Sequence, residues 1–241
     1  MCTSCGCGDP EIVPVDVHER ILAGNDAVAR HNREHFERQG VLAVNLMGSP
    51  GSGKTLLLEA TARALAGSLN VAAVSGDLAT DRDGERLRAA GIPARTITTG
   101  SACHLDARLI HHALHDFPLF GIDIFFIENV GNLVCPAVYD LGQSVNVVAV
   151  SVTEGEDKPL KYPAMFRAAD LVLLTKIDLL PALPEVSLAA FAESLERVSP
   201  AAHLLSVSSR TGAGLDRWIA WLRGRHPGAQ WEMPAAECGA W

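Results

Sequence analysis

The stretch VLAVNLMGSPGSGKT, residues 41–55, constrains the fold of this chain more than any other. Residues 41–47 are apolar enough to form a short buried strand, and a helical pattern runs from Lys54 to Ala66. Between them, GSPGSGKT (48–55) matches G-x-x-x-x-G-K-(S/T) in the strand–loop–helix setting that a phosphate-binding loop requires. Glycines at 48, 51 and 53 let backbone N–H groups turn inward with no side chain in the way, and Ser52 lies between two of them. The helix N-terminus turns its positive end toward the same point. Lys54 is placed to reach the β- and γ-phosphates of a nucleotide, and the Thr55 hydroxyl to serve Mg²⁺. A turn that merely joins strand to helix is the alternative, and the flanking pattern disfavours it.

The same alternation continues down the chain. Short apolar strands are expected at 71–75, 94–98, 122–129, 145–152, 171–176 and 203–208. Helices are expected at His18–Gly40, Asp83–Ala90, His104–His115, Lys158–Ala168, Ser187–Val198 and Leu215–Arg223. Continuous Val/Ile/Leu strands alternating with helices indicate an α/β fold of three layers, with a mostly parallel sheet covered on both faces. The expected organisation is a cysteine motif at 1–9, a linker at 10–17, one domain with an N-terminal helix at 18–224, and a flexible tail at 225–241.

Residues at the ends of later strands address the nucleotide. TKID (175–178) ends one strand, and the Asp178 carboxylate can accept hydrogen bonds from guanine N1–H and its 2-amino group; adenine has no such donor pair. The stem of Lys176 can lie along the purine. TKID resembles the guanine-reading N-K-x-D box of GTPases, with Thr175 in place of Asn. SSRTG (208–212) follows another strand and offers Ser208 and Arg210 as a second base-contact loop. A guanine reader disfavours a small-molecule kinase built on the same phosphate loop. Mg²⁺ and the hydrolytic step need acids at strand ends; Asp77 and Glu128 are best placed, joining Lys54 as candidate catalytic residues. Gly131 lies where a γ-phosphate-sensing loop has a glycine. Asp81, Arg82 and Asp83 read as a solvated helix start.

Formal net charge is -8, and the 20 Lys and Arg form no long cluster, so a general nucleic-acid binder is not expected. No apolar run approaches the ~20 residues needed to cross a bilayer, and no secretory signal is evident, so neither a membrane partner nor export is expected. The expected setting is cytoplasmic, where six cysteines serve as thiols rather than disulfides. Cys2, Cys5 and Cys7 cluster at the start. Cys103 and His104 are adjacent, and Cys135 directly follows the Glu128–Gly131 loop. Thiolate plus imidazole suits Zn²⁺ or Ni²⁺, but adjacent Cys-His is not a standard finger spacing. Two small buried cysteines and a capping histidine remain the competing reading. His111 and His115 are four apart on one expected helix, with His112 beside them, and read as a solvated helix face.

MCTSCGCG, GSPGSGKT, GDLATDRD, GSACHLDA, ENVGNLVCP and TEGEDKPLKYP, in that order, resemble the hydrogenase nickel-incorporation GTPase family (HypB type) along nearly the whole chain. The resemblance implies a dimerising, SIMIBI-like G domain that couples GTP binding and hydrolysis to nickel delivery during maturation of nickel–iron hydrogenase. It implies GTP, Mg²⁺, Ni²⁺ and Zn²⁺ as cofactors. As partners it implies a second copy of the chain, favoured by GTP and metal, a HypA-type nickel chaperone and the hydrogenase large-subunit precursor. Metal ligands would fall on Cys103, His104 and Cys135, and on Cys2, Cys5 and Cys7. Three thiolates with the amine of Met1, or of Cys2 after its removal, form an S₃N set that suits square-planar Ni²⁺ and needs no core, because the metal supplies the ordering energy. A delivery GTPase for another nickel enzyme such as urease, or a metal reservoir with little hydrolysis, are the alternatives.

Overall fold

The structure, a computed structural model, describes residues 13–100, 102–115 and 117–228. Seven strands form one sheet: β1 (Leu42–Gly48), β2 (Val71–Asp77), β3 (Ala94–Thr98), β4 (Ile124–Glu128), β5 (Val145–Ser151), β6 (Leu171–Thr175) and β7 (His203–Ser206), in the order β3-β2-β4-β1-β5-β6-β7. Every neighbouring pair is parallel. Each of β1, β4 and β6 is buried along its whole length, which is why their sequences run apolar without alternation.

The helices are α1 (Val13–Gln39), α2 (Lys54–Leu65), α3 (Arg82–Ala89), α4 (Ala107–His115), α5 (Lys158–Lys161), α6 (Pro163–Arg167), α7 (Leu188–Val198) and α8 (Leu215–Arg225). One face of the sheet packs Val44, Leu46 and Phe126 against Leu57 and Leu58 of α2 and Trp218 of α8. Trp218 stays satisfied while buried, because its Nε1–H donates to Thr61 Oγ1 at 2.8 Å. The opposite face packs Ala43, Val74 and Phe125 against Phe36 of α1 and Ile110 of α4, and Val148 and Leu174 against Phe166 of α6 and Phe191 of α7. The result is helix, sheet, helix.

The chain winds from β1 toward β2 and β3, returns through β4, then runs through β5 to β7 on the other side. Crossovers therefore diverge at the carboxyl end of β1, and this switch point opens the crevice in which α/β sheets hold ligands.

Several boundaries differ from expectation. The first helix begins at Val13 rather than His18, so the second half of the expected linker 10–17 is helical. The helix expected from His104 starts at Ala107. Asp106 ends it there: its Oδ1 accepts from Leu109 N at 2.8 Å, a capping bond that leaves Cys103 and His104 in the preceding loop. The helix expected over Lys158–Ala168 is two, α5 and α6, because Pro163 has no N–H to continue the first. The strands expected at 122–129 and 203–208 shorten to β4 and β7.

Candidate functional site

The phosphate loop leaves β1 at Gly48 and enters α2 at Lys54. Gly51 and Gly53 adopt φ of 75° and 95°, the left-handed region closed to most side chains. A Cβ on Gly48 would stand 2.2 Å from the Ala149 carbonyl oxygen, so β5 itself excludes any larger residue there. Lys54 is only 7% exposed, and its Nζ donates to the carbonyls of Gly48 at 3.1 Å and Ser49 at 3.0 Å. Burial pulls its pKa down, while Glu128, Asp83 and Glu154 oppose that shift. Ser52 is fully buried and its hydroxyl has no partner among the described residues. The loop walls a cleft of about 480 Å³.

Acids from three elements meet at Thr55. Its Oγ1 lies 2.7 Å from Glu128 Oε1 at the end of β4 and 3.0 Å from Asp83 Oδ1 on α3. Glu128 is buried, its Oε2 has no hydrogen-bond partner among the described residues, and burial raises its pKa against the Thr55 bond and Lys54. An orphaned buried carboxylate oxygen beside a hydroxyl and a second carboxylate is an all-oxygen donor set, and it fits Mg²⁺. Asp77 also lines the cleft, but its Oδ1 accepts from Ala79 N and Thr80 N at 2.8 Å, which lowers its pKa and closes a turn.

Asp83 departs from the expected solvated helix start. Its neighbour Asp81 does face solvent, paired with Arg88 at 2.5 Å and bonded to Thr96. Two residues along a helix turn about 200°, so one acid faces water and the other faces Thr55. Arg86, one turn after Asp83, lines the same cleft and pairs with Glu59 at 2.8 Å. Sequence reasoning missed both Asp83 and Arg86; their three-residue spacing on one helix was the available signal.

On the other side, the ends of β6 and β7 meet. Thr175 Oγ1 donates to Ser52 O at 2.6 Å, tying this strand to the phosphate loop. Lys176 takes a left-handed φ of 60° and crosses that loop, its Nζ donating to Gly51 O at 2.6 Å. Ser208 Oγ donates to Asp178 Oδ1 at 2.6 Å and so orients the carboxylate. Arg210 is exposed at the rim of the same loop.

The second donor set is also assembled. Cys103 Sγ and Cys135 Sγ are 3.0 Å apart, well beyond the ~2.05 Å of a disulfide, and both are free thiols. Ligand atoms of Cys103, His104 and Cys135 all lie within 4.8 Å of one another, the one such group among the described residues. The His104 ring stacks on Tyr139 at 4.0 Å, and its buried Nδ1 has no partner among the described residues. Burial lowers the His104 pKa, with Asp106 opposing, which keeps the imidazole neutral as ligation demands. Hydrogen bonding with Cys103 and then burial raise the Cys135 thiol. Soft sulfur pairs with an orphaned nitrogen here, a fit for Zn²⁺ or Ni²⁺. Cys2, Cys5 and Cys7 lie outside the described residues.

The two sites share backbone. Asn132 N donates to Gly48 O at 3.1 Å in an isolated antiparallel bridge. Its side-chain Nδ2 donates to Cys103 O at 3.2 Å, and its Oδ1 accepts from Val134 N at 2.8 Å. Asn129 adds a second tie, its Oδ1 accepting from Leu105 N at 3.2 Å. Gly131 packs so closely that a Cβ would stand 2.9 Å from Pro50 backbone atoms. We expect Gly131→Ala to weaken nucleotide binding at least tenfold by pushing this loop off Pro50, measured by titration with a fluorescent nucleotide.

The chain is similar to known proteins in sequence and in fold. A hydrogenase maturation factor HypB from Rhizobium leguminosarum bv. viciae is 51% identical over 208 residues, covering 86% of this chain and 69% of that protein. The crystal structure of HypB from Archaeoglobus fulgidus matches with a TM-score of 0.78 at 42% identity, over 84% of this chain and 98% of that one. HypB from Helicobacter pylori, solved in complex with nickel, matches with a TM-score of 0.81 at 37% identity, over 88% and 100%. The family described as CobW/HypB/UreG, nucleotide-binding domain, matches residues 42–206, from the first residue of β1 to the last of β7. Since that span carries the phosphate loop, the acid cluster and the thiol–imidazole set together, the chain belongs to the CobW/HypB/UreG family of nucleotide-binding proteins.

Proposed function

We propose that this chain hydrolyses GTP, and that the state of the nucleotide sets how tightly Cys103, His104 and Cys135 hold Ni²⁺ as cargo for maturation of a nickel–iron hydrogenase. The observation that carries the coupling is Asn132, whose backbone bonds the phosphate loop while its side chain bonds the Cys103 carbonyl. The names of the relatives and the nickel complex of the Helicobacter pylori neighbour support the cargo.

In this reading, N–H groups from Gly51 to Thr55 wrap the phosphates, and Lys54 leaves the Gly48 and Ser49 carbonyls to neutralise the β- and γ-oxygens. Glu128, Thr55 and Asp83 would hold Mg²⁺, with Asp77 toward its waters; the ion supplies charge neutralisation where oxygen charge develops. Asp178, oriented by Ser208, accepts from guanine, and Lys176 and Arg210 flank the base. A γ-phosphate beside Gly131 would shift the 128–135 segment, and with it Cys135 relative to Cys103.

Three ligands leave room for a fourth from a second copy of the chain. Leu78, Val134 and Val138, respectively 47%, 57% and 45% exposed near this segment, support a homodimer favoured by GTP and metal. A HypA-type chaperone and the hydrogenase large-subunit precursor are the proposed donor or acceptor of the ion, with Cys2, Cys5 and Cys7 as a second nickel site on the way. Among the described residues no helix is long and apolar enough to cross a membrane.

The test is a Ni²⁺ titration of the full chain with GDP and with a non-hydrolysable GTP analogue. We expect affinities differing by roughly tenfold, in keeping with the usual 1–3 kcal/mol of coupling. Asn132→Ala should bring the two within about twofold. Equal affinity in the unaltered chain would falsify the coupling.

A further inference from the structure

Cys103 and His104 are neighbours in the chain, and neighbouring residues project in different directions from the backbone. Bringing a sulfur and an imidazole from this pair to one ion therefore needs something that holds the ring. No hydrogen bond does so at Nδ1, which is buried and has no partner among the described residues. What meets the ring is Tyr139. The two planes lie 17° from parallel, with centroids 4.0 Å apart. Tyr139 is itself half-buried and packs against the core cluster that contains Phe36 and Phe125.

The backbone on both sides of this stack is fixed to α1. Buried Asn25 reaches both segments: its Oδ1 accepts from Ala107 N at 2.8 Å, and its Nδ2 donates to Asp140 O at 2.7 Å. Asn32, fully buried, does the same, its Nδ2 donating to Ala107 O at 2.8 Å and to Leu141 O at 3.1 Å. Arg33 adds an ion pair with Asp140 at 2.8 Å. Gly142 follows with φ of 88°, and a Cβ there would stand 2.5 Å from the Ala29 carbonyl oxygen, so this segment lies directly on the helix. The segments that carry His104 and Tyr139 are thus tied to the same stretch of α1, and the fold itself sets the two rings face to face.

We propose that Tyr139 is the positioning residue for the His104 imidazole, holding the ring so that it faces the Cys103 and Cys135 sulfurs before the ion arrives. The assignment rests on the reading of Cys103, His104 and Cys135 as the Ni²⁺ site. The property that matters is a flat aromatic face. Stacking restricts how the imidazole can turn and leaves its ring-edge nitrogens unbonded, which a hydrogen bond to nitrogen could not do. Without that face the ring regains rotamer freedom, and binding must then order it again. Groups that orient a ligand from behind ordinarily change metal affinity by about 10–100-fold.

The test is a Ni²⁺ titration of the full chain carrying Cys2→Ser, Cys5→Ser and Cys7→Ser, so that the amino-terminal thiols stay silent. Sulfur-to-nickel charge-transfer absorption reports binding, and X-ray absorption of the loaded protein reports imidazole. Tyr139→Leu keeps apolar bulk on the core but offers no flat face. It should weaken Ni²⁺ binding about tenfold and lose the imidazole scattering while sulfur scattering stays. Tyr139→Phe should bind within about twofold of the parent chain and keep the imidazole. His104→Ala should weaken binding by a factor like that of Tyr139→Leu, and combining the two should cost nothing more, because the tyrosine acts only through the ring. Three results would overturn the assignment while leaving the nickel site standing: parent-like affinity and imidazole scattering in Tyr139→Leu, a Tyr139→Phe chain as weak as Tyr139→Leu, or additive losses in the double variant. Absence of sulfur-bound nickel in the parent chain would remove the site and the assignment together.

Discussion

Lys54→Met is expected to lower GTP turnover by about 10²–10³-fold, the usual cost of removing one preorganised group that meets developing charge. The folded protein should barely notice. Lys54 is buried, and burial holds its pKa down, so its charge is disfavoured in the fold relative to the unfolded chain. A base depressed in this way weakens the fold where it stays protonated, and stability recovers as pH rises through its folded-state pKa. Methionine keeps the stem and removes the charge. Melting at pH 7 should therefore shift by no more than the equivalent of about 1 kcal/mol, set against the two carbonyl bonds that are lost. Turnover at or near the level of the unaltered chain would remove Lys54 from the phosphate site. A collapse of melting temperature would instead make it a structural lysine.

Asp178→Asn is expected to lower affinity for GTP on the order of 10³-fold while raising affinity for XTP by a comparable factor. In the proposed reading the carboxylate accepts from guanine N1–H and the 2-amino group. An amide offers one acceptor and one donor, which suits the 2-oxo group of xanthine. Asn can still accept from Ser208, whose hydroxyl now donates to Asp178 at 2.6 Å, so the loop should keep its shape. Competition of GTP, XTP and ATP against a fluorescent guanine nucleotide checks this directly. An unaltered preference for GTP would show that the base is read elsewhere. Gain of ATP alone would indicate that the site never discriminated through this residue.

The phosphate loop and the α/β alternation were legible in the sequence because they rest on local rules. Gly51 and Gly53 occupy left-handed positions, and apolar runs form strands buried on both faces. Each rule acts within a dozen residues. The boundaries that moved did so for local reasons too: Asp106 caps α4 three residues later than expected, and Pro163 breaks a helix in two. Asp83 was harder, because Asp81 and Asp83 are alike in the sequence and differ only in which way α3 turns them.

What the sequence by itself determined is a phosphate loop at the end of a buried strand, TKID beyond a later strand, and cysteine and histidine in the right kinds and order. Only the tertiary structure decided which of these groups meet. Thr55 lies 28 residues from Asp83 and 73 from Glu128, yet touches both. Cys103 reaches Cys135 across 32 residues, and His31 meets His111 across 80. Parallel strands require long crossovers, so residues at neighbouring strand ends are always distant in sequence. Their convergence depends on strand order, and strand order is settled by how the whole chain buries its apolar surface.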